Sequence, residues 1–403
     1  MKILVSAYAC EPGRGSEPGA GWHWATAAAR AHEVWVLTRT TNRASIEAEL
    51  SVRPQPSLHF VYLDLPPRAR FWKKKNRGVR TYVTIWQVLA GRAARRLHRE
   101  HRFDLVHHVT FANMWLPALA CLAPAPFVLG PVGGGQRVRA SLYPLLGPRS
   151  GLAEAVLQLG RVVSRLNPLA RIGWRRAAIL LAQNEESRDA LPRRCRPKTV
   201  LRPNAVAPET LASVRAPRSD EPVAVCAGRL NRFKACELAI RALAHAPGWR
   251  LLMVGRGPDE RRLRRLTERL GLGDRVEFVP WLEQEELWRT IAGAHALLFP
   301  SLKEGAPFVV AEAQTLGVPV VALDLHGPRV FARMPNASIE LVAPGRPEDV
   351  ALRMGEALRR LQSAPRPEAR PDFTRAGIER DLEWIYARVL PAAKLDGRLE
   401  RVA

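Results

Sequence analysis

Short apolar runs alternate with helical patterns along this chain, and this alternation limits its fold more than any other feature. Several of the runs are apolar nearly throughout and show little of the period of two that marks a half-exposed strand. In the first half they cover Lys2–Tyr8, Glu33–Thr38, Leu58–Leu65, Leu105–Thr110, Pro126–Pro131 and Ala178–Gln183. In the second half they cover Pro222–Ala227, Arg250–Gly255, Val276–Pro280, Ala296–Pro300, Val318–Leu323 and Ile339–Val342. Strands buried on both faces and separated by helices predict parallel sheets, so we expect an α/β fold with two doubly wound domains in tandem.

Helical patterns fall between these strands, and proline-rich stretches divide the chain. The helical patterns cover Gly21–Arg30, Glu237–Ala246, Asp259–Leu270, Glu283–Ala292, Pro307–Leu316, Pro347–Leu361 and, at the end, Phe373–Leu390. The stretches Leu201–Asp220 and Ser363–Pro371 interrupt the alternation. We therefore predict an N-terminal domain over residues 1–205, a C-terminal domain over 206–372 and a last helix within 373–403.

The charge is strongly positive. Lysine and arginine number 62 against 38 acidic residues, a formal net charge of +24. Residues 66–102 concentrate basic side chains around an amphipathic pattern that includes Tyr82, Ile85, Trp86 and Leu89. Three interpretations stay open: a helix packed on the sheet with a solvated polar face, a docking surface for anionic lipid, or the arginine-rich composition of a GC-rich coding sequence.

Composition excludes several classes of protein. The apolar runs are shorter than the roughly 18 residues of a membrane span, and the N-terminus lacks the features of a signal peptide. The five cysteines contain no CxxC pair, which argues against a disulfide framework or a zinc site. We expect a cytoplasmic protein, with the basic segment as a route to the inner face of a membrane.

The loops at the carboxyl ends of the strands are where an open α/β sheet binds ligands. Residues 10–21, after the first strand, contain Gly15, Gly19 and Gly21 and precede a helix, which suits an anion-binding loop. The loop fits neither G-x-G-x-x-G nor a P-loop, so a nicotinamide or ATPase assignment fails here. A plain connector is the alternative.

Cations and glycines follow the strands of the second half. Gly228 and Arg229 come directly after one strand, and Lys234 follows five residues after Arg229. Arginine binds two phosphate oxygens at once and lysine adds a compact charge, so the pair suits a diphosphate. Gly255 stands at the next strand-to-helix turn, where it either makes the turn or lets a ligand approach.

Two carboxylates stand eight residues apart near a helix start. Glu304 precedes Pro307, and Glu312 lies about one turn inside the helix among apolar neighbours. Carboxylates accept hydrogen bonds from sugar and ribose hydroxyls. For Glu304 the alternative is a favourable charge near the helix N-terminus.

Taken in order, these residues resemble family-4 retaining glycosyltransferases of the GT-B fold (glycosyl transferases group 1). The resemblance is strongest over most of 222–350. It is carried by the segments Ala227–Lys234, Gly255–Pro258, Val276–Pro280, Phe299–Ala313 and Gly317–Ala322. The first half is similar more loosely, through the Gly-rich loop, Asp104–Phe111 and Gly130–Gly135.

The resemblance implies a fold and a reaction. Two Rossmann-like domains would face each other across a cleft, and the C-terminal helix would cross back to the first domain. A nucleotide-diphosphate sugar bound by the C-terminal domain would give up its sugar, with retained configuration, to a hydroxyl acceptor at the N-terminal domain. The enzyme would be a hexosyltransferase of polysaccharide, glycolipid or secondary-metabolite synthesis that needs no cofactor and no metal, and no specific nucleic acid is expected as a partner.

The same resemblance implies residue roles. Arg229 and Lys234 would hold the diphosphate, Glu312 the ribose and Glu304 the donor sugar. Backbone groups, glycines and loop residues would complete the donor site, namely Gly228, Gly255, Val279 beside the base, Gly305, Ala306, Pro307, Phe308, and the loop of Gly15, Gly19 and Gly21.

Three departures from the family pattern are visible. The usual H-x-H is replaced by adjacent His107 and His108, which point to opposite faces of a strand. Both are candidates for the catalytic, sugar-facing role, and only one of them should face the cleft. We favour His108, and the other would be a hydrogen-bonded core histidine. Ala235 replaces a glycine after Lys234, and Pro307 removes one backbone donor from the loop after Glu304.

Two other functions remain as alternatives: a nucleotide-sugar epimerase on the same fold, and a non-catalytic protein that binds nucleic acid or an anionic surface. Consumption of donor only when an acceptor is present would distinguish transfer from epimerisation. Salt-dependent binding without a donor would favour the second.

Overall fold

The computed structural model describes residues 1–69, 78–164, 166–369, 373 and 375–390, and they divide into two compact units. The first unit takes in Met1–Gly135, Arg161–Val206 and the described part of Arg375–Ala403. The second takes in Gln136–Gly160 and Ala207–Thr374, as far as these are described.

The first unit is built on a parallel sheet, which the described residues show as seven-stranded. Its strands are β1 (Lys2–Ala7), β2 (Glu33–Arg39), β3 (Leu58–Leu63), β4 (Leu105–Thr110), β5 (Phe127–Val132), β6 (Ala177–Ala182) and β7 (Thr199–Leu201). They lie in the order β3-β2-β1-β4-β5-β6-β7. β1, β4 and β5 are buried along almost their whole length, whereas the edge strands β3 and β7 are partly exposed. Burial on both faces therefore holds for the central strands, whereas the predicted run Leu58–Leu65 forms the partly exposed edge strand β3.

Helices accompany this sheet. They are α1 (Ser16–Ala29), α2 (Arg43–Val52), α3 (Val79–His101), α5 (Pro168–Arg176), α6 (Glu185–Ala190) and α13 (Arg375–Val389). α13 packs against α1 in the same unit, so the last helix returns to the first domain as expected.

Helix α3 contains the basic amphipathic pattern predicted within residues 66–102. It buries Tyr82, Trp86 and Leu97 in the core of the first unit and leaves its arginines exposed. Ile85, expected on the packed face, is instead 38% exposed. At 3.6 residues per turn, it lies about 100° from the buried Trp86. Arg70, Lys73, Lys74, Lys75 and Arg77 of the basic segment lie outside the described residues.

The second unit contains a parallel sheet that the described residues show as six-stranded. Its strands are β8 (Val223–Ala227), β9 (Arg250–Val254), β10 (Val276–Val279), β11 (Ala296–Phe299), β12 (Val320–Leu323) and β13 (Ile339–Val342), in the order β10-β9-β8-β11-β12-β13. The helices that follow the strands are α7 (Cys236–Ala244), α8 (Glu260–Arg269), α9 (Gln284–Ala292), α10 (Phe308–Thr315), α11 (His326–Ala332) and α12 (Pro347–Gln362). Every strand predicted for this half is present within two residues of its expected ends.

A long helix between β5 and β6 belongs mostly to the second unit. This helix, α4 (Tyr143–Ser164), kinks at Gly147, whose φ is 67°. Leu142, Leu145 and Leu146, at its start, lie in the hydrophobic core of the second unit. This packing explains why residues 136–160 group with that unit although the sequence assigned 1–205 to one domain.

The sequence did not predict several elements: α2, α4, α5, α6, α11 and the three-residue strand β7. None of the described helices combines the length and the apolar character that crossing a membrane requires.

Candidate functional site

The loops after β8, β9 and β11 meet at one edge of the second sheet, because these strands are parallel and β8 lies between the other two. They carry Gly228, Arg229, Lys234, Gly255 and Glu304. The structure thus brings together at one sheet edge the residues that the sequence placed after separate strands.

Gly228 and Gly255 allow two loops to pack backbone against backbone. Their φ angles are +145° and +133°. A Cβ on Gly255 would lie 2.0 Å from the Gly228 carbonyl oxygen. The Gly228 N–H donates to Val254 O at 3.0 Å, and the Gly255 N–H donates to Val279 O at 3.0 Å. Of the two interpretations of Gly255, the structure supports the close turn directly.

The loop that carries Lys234 is a short 3-10 turn over Arg232–Lys234. The Asn231 side chain caps it by accepting from the Lys234 N–H at 3.2 Å. Leu302, in the loop after β11, donates its N–H to Phe233 O at 2.8 Å. These bonds hold the Lys234 loop against the loop that carries Glu304.

Lys234 and Glu304 form an ion pair through Nζ and Oε1. The ammonium also lies 5.5 Å from the centroid of the Phe299 ring. Both side chains are about one quarter exposed, at 26% and 25%, so the pair remains open to a ligand. The sequence named both residues but did not predict that they contact each other.

Arg229 and Arg232 differ sharply in surroundings. Arg232 is tied to Asp259 at 3.3 Å and to Glu237 at 3.9 Å. Arg229 is exposed and forms no hydrogen bond or ion pair with any described residue. Arg229 can therefore bind an incoming anion without breaking an ion pair, whereas Arg232 cannot.

Glu312 is buried on α10, with 6% of its surface exposed. Burial raises the pKa of its carboxyl group, and the nearby Trp288 and Gln284 side chains partly offset that rise. The Gln284 amide nitrogen lies 3.5 Å from Oε1. A buried carboxyl group with few polar neighbours is suited to specific hydroxyl partners rather than to bulk solvent.

The segment before α10 is compact. Ala306 and Pro307 are buried, whereas Gly305 and Phe308 are partly exposed. Pro307 is the N-cap residue of α10, with φ −73°. The donor lost at Pro307 therefore lies just before the helix, and the first-turn N–H groups of α10 begin at Phe308.

In the first unit, the Gly-rich loop leads into α1 with Gly15 as its exposed N-cap residue. A Cβ on Gly19 would lie 1.9 Å from Arg14 O, and one on Gly21 would lie 2.0 Å from Ala9 O. These two glycines are required for the helix to pack against its own loop, which is a structural reason for their presence.

Glu17, in the first turn of α1, was not singled out from the sequence. Its carboxylate accepts from the Phe111 N–H at 3.0 Å and from the Asn204 side-chain amide at 3.3 Å. Burial raises the pKa of this carboxyl group. Residues 10–21 contain two acids, Glu11 and Glu17, and the position of Glu17 just before the predicted helix is the signal that could have drawn attention to it.

His107 and His108 are both buried in β4, each 1% exposed. His107 is bonded through Nδ1 to the Tyr386 hydroxyl at 2.9 Å and through Nε2 to Gly130 O at 2.8 Å. His108 contacts the Ser6 hydroxyl at 3.1 Å through Nδ1. Burial lowers the pKa of His107 to about 4 and that of His108 to about 3. His107 has the hydrogen-bonded core environment expected for it, and the role of His108 stays a prediction.

The described residues contain no group of three or more His, Cys, Asp or Glu side chains arranged to hold a metal ion. All five cysteines are buried free thiols.

Comparison with known families matches residues 209–377 to the family described as glycosyl transferases group 1. A curated relative, the D-inositol 3-phosphate glycosyltransferase of Mycobacteroides abscessus, is 36% identical over 167 residues. That match covers 40% of this chain and 36% of the relative. The corresponding enzyme of Mycolicibacterium smegmatis is 36% identical over 115 residues and is covered to 26% of its length. The chain thus matches about a third or less of these relatives.

Solved structures match over nearly the whole chain at low identity. A sucrose-phosphate synthase from Thermosynechococcus elongatus has a TM-score of 0.59 and 18% identity over 96% of this chain and 98% of its own. Anabaena HepE in complex with UDP and glucose has a TM-score of 0.52 and 16% identity, over 100% of this chain and 98% of its own. The two parallel-sheet, Rossmann-like units are those of the GT-B fold.

Proposed function

We propose that this chain, whose residues 209–377 match the glycosyl transferases group 1 family and which has the GT-B fold, is a retaining glycosyltransferase. It transfers a sugar from a nucleotide-diphosphate donor to a hydroxyl group of a glycan, glycolipid or secondary metabolite. Side chains of the enzyme, rather than a metal ion, neutralise the negative charge of the donor's diphosphate.

The observation that carries this proposal is the Lys234–Glu304 ion pair beside the exposed Arg229. A diphosphate brings its own negative charge to this edge. Arg229 meets it directly, and the Lys234 ammonium exchanges the Glu304 carboxylate for phosphate oxygens. Glu304 is then free to accept hydrogen bonds from hydroxyls of the donor sugar.

Glu312 supplies a second set of acceptors. Its buried carboxyl group on α10 binds the ribose hydroxyls, which replace the water that burial excludes. We assign the base to the loop at Val279 and the sugar and phosphates to the backbone of residues 305–308. Support for these roles is the convergence of the second-unit loops at one sheet edge.

In the proposed reaction, the bond between the sugar anomeric carbon and the diphosphate oxygen breaks while the acceptor oxygen forms the new bond on the same face. The acceptor proton passes to the departing phosphate. Arg229 and Lys234 stabilise the negative charge that develops on the diphosphate. The first-turn N–H groups of α10 contribute further positive potential at the same place. His108 takes part as a neutral imidazole.

Solved relatives guide the choice of donor. HepE has been solved in complex with UDP-glucose, and a sucrose-phosphate synthase shares the fold. A uridine diphosphate sugar is therefore the first donor to test.

A membrane surface is the proposed location of the reaction. The exposed side of α3 carries Arg92, Arg95, Arg96 and Arg99. Each basic residue near an anionic bilayer contributes about 1 kcal/mol of attraction. We propose that the enzyme works on the cytoplasmic side of a membrane, held there in part by this basic face.

The test is thermal unfolding with a panel of nucleotides and nucleotide sugars. A ligand at 100 times its dissociation constant that binds only the folded state adds about 2.7 kcal/mol. We expect one nucleotide family to stabilise the wild type and Arg269→Ala but not Lys234→Ala. Arg269 is an exposed cation in the last turn of α8, so it controls for loss of charge alone.

Two outcomes would contradict the proposal. Equal stabilisation of Lys234→Ala would remove the diphosphate site from this edge. Donor consumption that does not depend on an acceptor would favour epimerisation instead, although the comparisons favour neither this nor a non-catalytic binding role.

A further inference from the structure

Helix α4 exposes an apolar stripe along its length. Leu152, Val156, Leu159 and Val163 are 68%, 61%, 67% and 60% exposed. At 3.6 residues per turn, these four side chains fall within an arc of about 60° and extend for about 16 Å. Isolated exposed apolar residues are normal, but a continuous stripe of this kind marks a surface that another phase or molecule covers.

The opposite face of α4 is anchored to the second unit. Glu154 is 0% exposed and pairs through Oε2 with the Lys303 ammonium at 2.6 Å. Gln158 donates to the other oxygen, Oε1, at 2.5 Å. The helix therefore turns its acid inward and its aliphatic side chains outward, the reverse of an ordinary surface helix.

Charge complementarity identifies what covers the stripe. Glu154 is the only acidic residue in Tyr143–Ser164, and it is buried, whereas Arg149 is exposed at one flank of the stripe. A surface of aliphatic side chains, flanked by a cation and without an exposed acid, matches a bilayer with anionic headgroups. A second copy of this chain is a poorer match, because each copy carries a net charge of +24.

Residue type supports the same choice. Protein interfaces depend on tryptophan, tyrosine and arginine at their centres, and leucine and valine are under-represented among their energetically dominant residues. The stripe consists of leucine and valine alone.

We propose that α4 is an interfacial helix that lies in the surface of an anionic lipid bilayer, with Leu152, Val156, Leu159 and Val163 among the acyl chains. This contact is separate from the basic face of α3: it depends on apolar insertion, whereas α3 offers electrostatic attraction. It does not require the chain to be a glycosyltransferase, so the two proposals fail independently.

The test is co-sedimentation of the full-length protein with vesicles of phosphatidylcholine, with and without phosphatidylglycerol. The variant is Val156→Asp with Leu159→Asp, and the matched control is Val52→Asp, a 75% exposed valine on α2. We expect the wild type and the control to partition onto the vesicles that contain phosphatidylglycerol. We expect the double variant to lose at least about tenfold in partitioning, because two side chains must leave the apolar phase. Thermal unfolding of all three proteins checks that they remain folded.

Three results would overturn the proposal. The wild type could fail to bind anionic vesicles at low salt, or the double variant could bind them as well as the control. Sedimentation could also show a wild-type dimer that the double variant abolishes without any effect on vesicle binding, which would assign the stripe to a second copy.

Discussion

Acidification is the perturbation that most directly tests the interior of the first unit, because His107 and His108 lie side by side in β4 and both are buried. Their pKa values, about 4 and about 3, lie below the pKa of about 6.5 of an unfolded histidine. Below that pKa the unfolded chain binds protons that the folded chain does not. The stabilising contribution is therefore complete above about pH 6.5 and is lost as the pH falls toward the folded values.

The magnitude follows from the difference in proton binding. At about pH 5, each histidine lies about 1.5 pH units below its unfolded pKa, and each unit corresponds to about 1.4 kcal/mol. Each buried imidazole then costs about 2 kcal/mol, and the two together cost about 4 kcal/mol. This is a large share of the roughly 5–15 kcal/mol that stabilises a typical domain.

Urea unfolding at about pH 7.5 and about pH 5 measures this difference. The pH-dependent loss of unfolding free energy should be smaller by about 2 kcal/mol in His107→Asn and in His108→Asn than in the wild type. His59→Asn, at a 42% exposed imidazole, is the matched control for the removal of a histidine from the surface. Glu17 and Glu312, whose raised pKa values act in the opposite direction, are present in all the proteins and cancel in the comparison.

Equal losses in the wild type and in His108→Asn would refute the assignment of a buried neutral imidazole. So would an imidazole NMR resonance of His108 that titrates near the ordinary histidine pKa. A confirmed neutral His108 would also limit the role of this residue in the proposed reaction. A neutral imidazole can form a hydrogen bond with a sugar hydroxyl but cannot supply an imidazolium charge.

Two further substitutions test the second unit. Gly255→Ala should cost at least about 3 kcal/mol of unfolding free energy, because its Cβ would lie 2.0 Å from Gly228 O. The control is Gly248→Ala, where φ is +78° but no atom lies within 4 Å of the added Cβ, and it should cost about 1 kcal/mol. Equal costs in urea unfolding would mean that the Gly255 turn is not tightly packed. Lys303→Ala should cost about 3 kcal/mol because it removes the cation from the buried Glu154 carboxylate, and Lys303→Arg should restore most of that loss. An unaffected Lys303→Ala variant would contradict the buried ion pair.

The strands could be predicted from the sequence because burial on both faces produces runs without polar interruptions. Ile339–Val342 was predicted at its observed ends, and Leu105–Thr110 likewise. The order of the strands was not predicted, although it agrees with the doubly wound pattern of parallel connections. The candidate site followed from the same logic, since residues after neighbouring parallel strands share one edge.

Elements whose apolar side chains do not face a core could not be predicted in this way. Helix α4 contains Gly147, Pro148 and Gly151 near its start, and it exposes its apolar stripe. Neither its hydrophobic pattern nor the positions of its glycines and proline are those of a core-facing helix. The contact between Lys234 and Glu304 joins residues 70 apart in sequence. Such a pairing depends on how two loops pack, through the bond from Leu302 N–H to Phe233 O, and no local pattern encodes it.

The two departures from the family pattern in the donor half have different physical meanings. Ala235 adopts φ 45°, in the left-handed region where a glycine has no Cβ penalty, and it is 1% exposed in the core. Its methyl group therefore gains burial that offsets the strain, at about 0.8 kcal/mol for a buried carbon against about 1 kcal/mol for the conformation. Pro307 adopts φ −73°, which is the angle its ring prefers, so it presets the approach to α10 without strain. In the proposed donor site, the substitution beside Lys234 thus comes at little net cost, whereas the one at Pro307 removes a backbone donor. Under that proposal, any unusual donor preference should originate at Pro307.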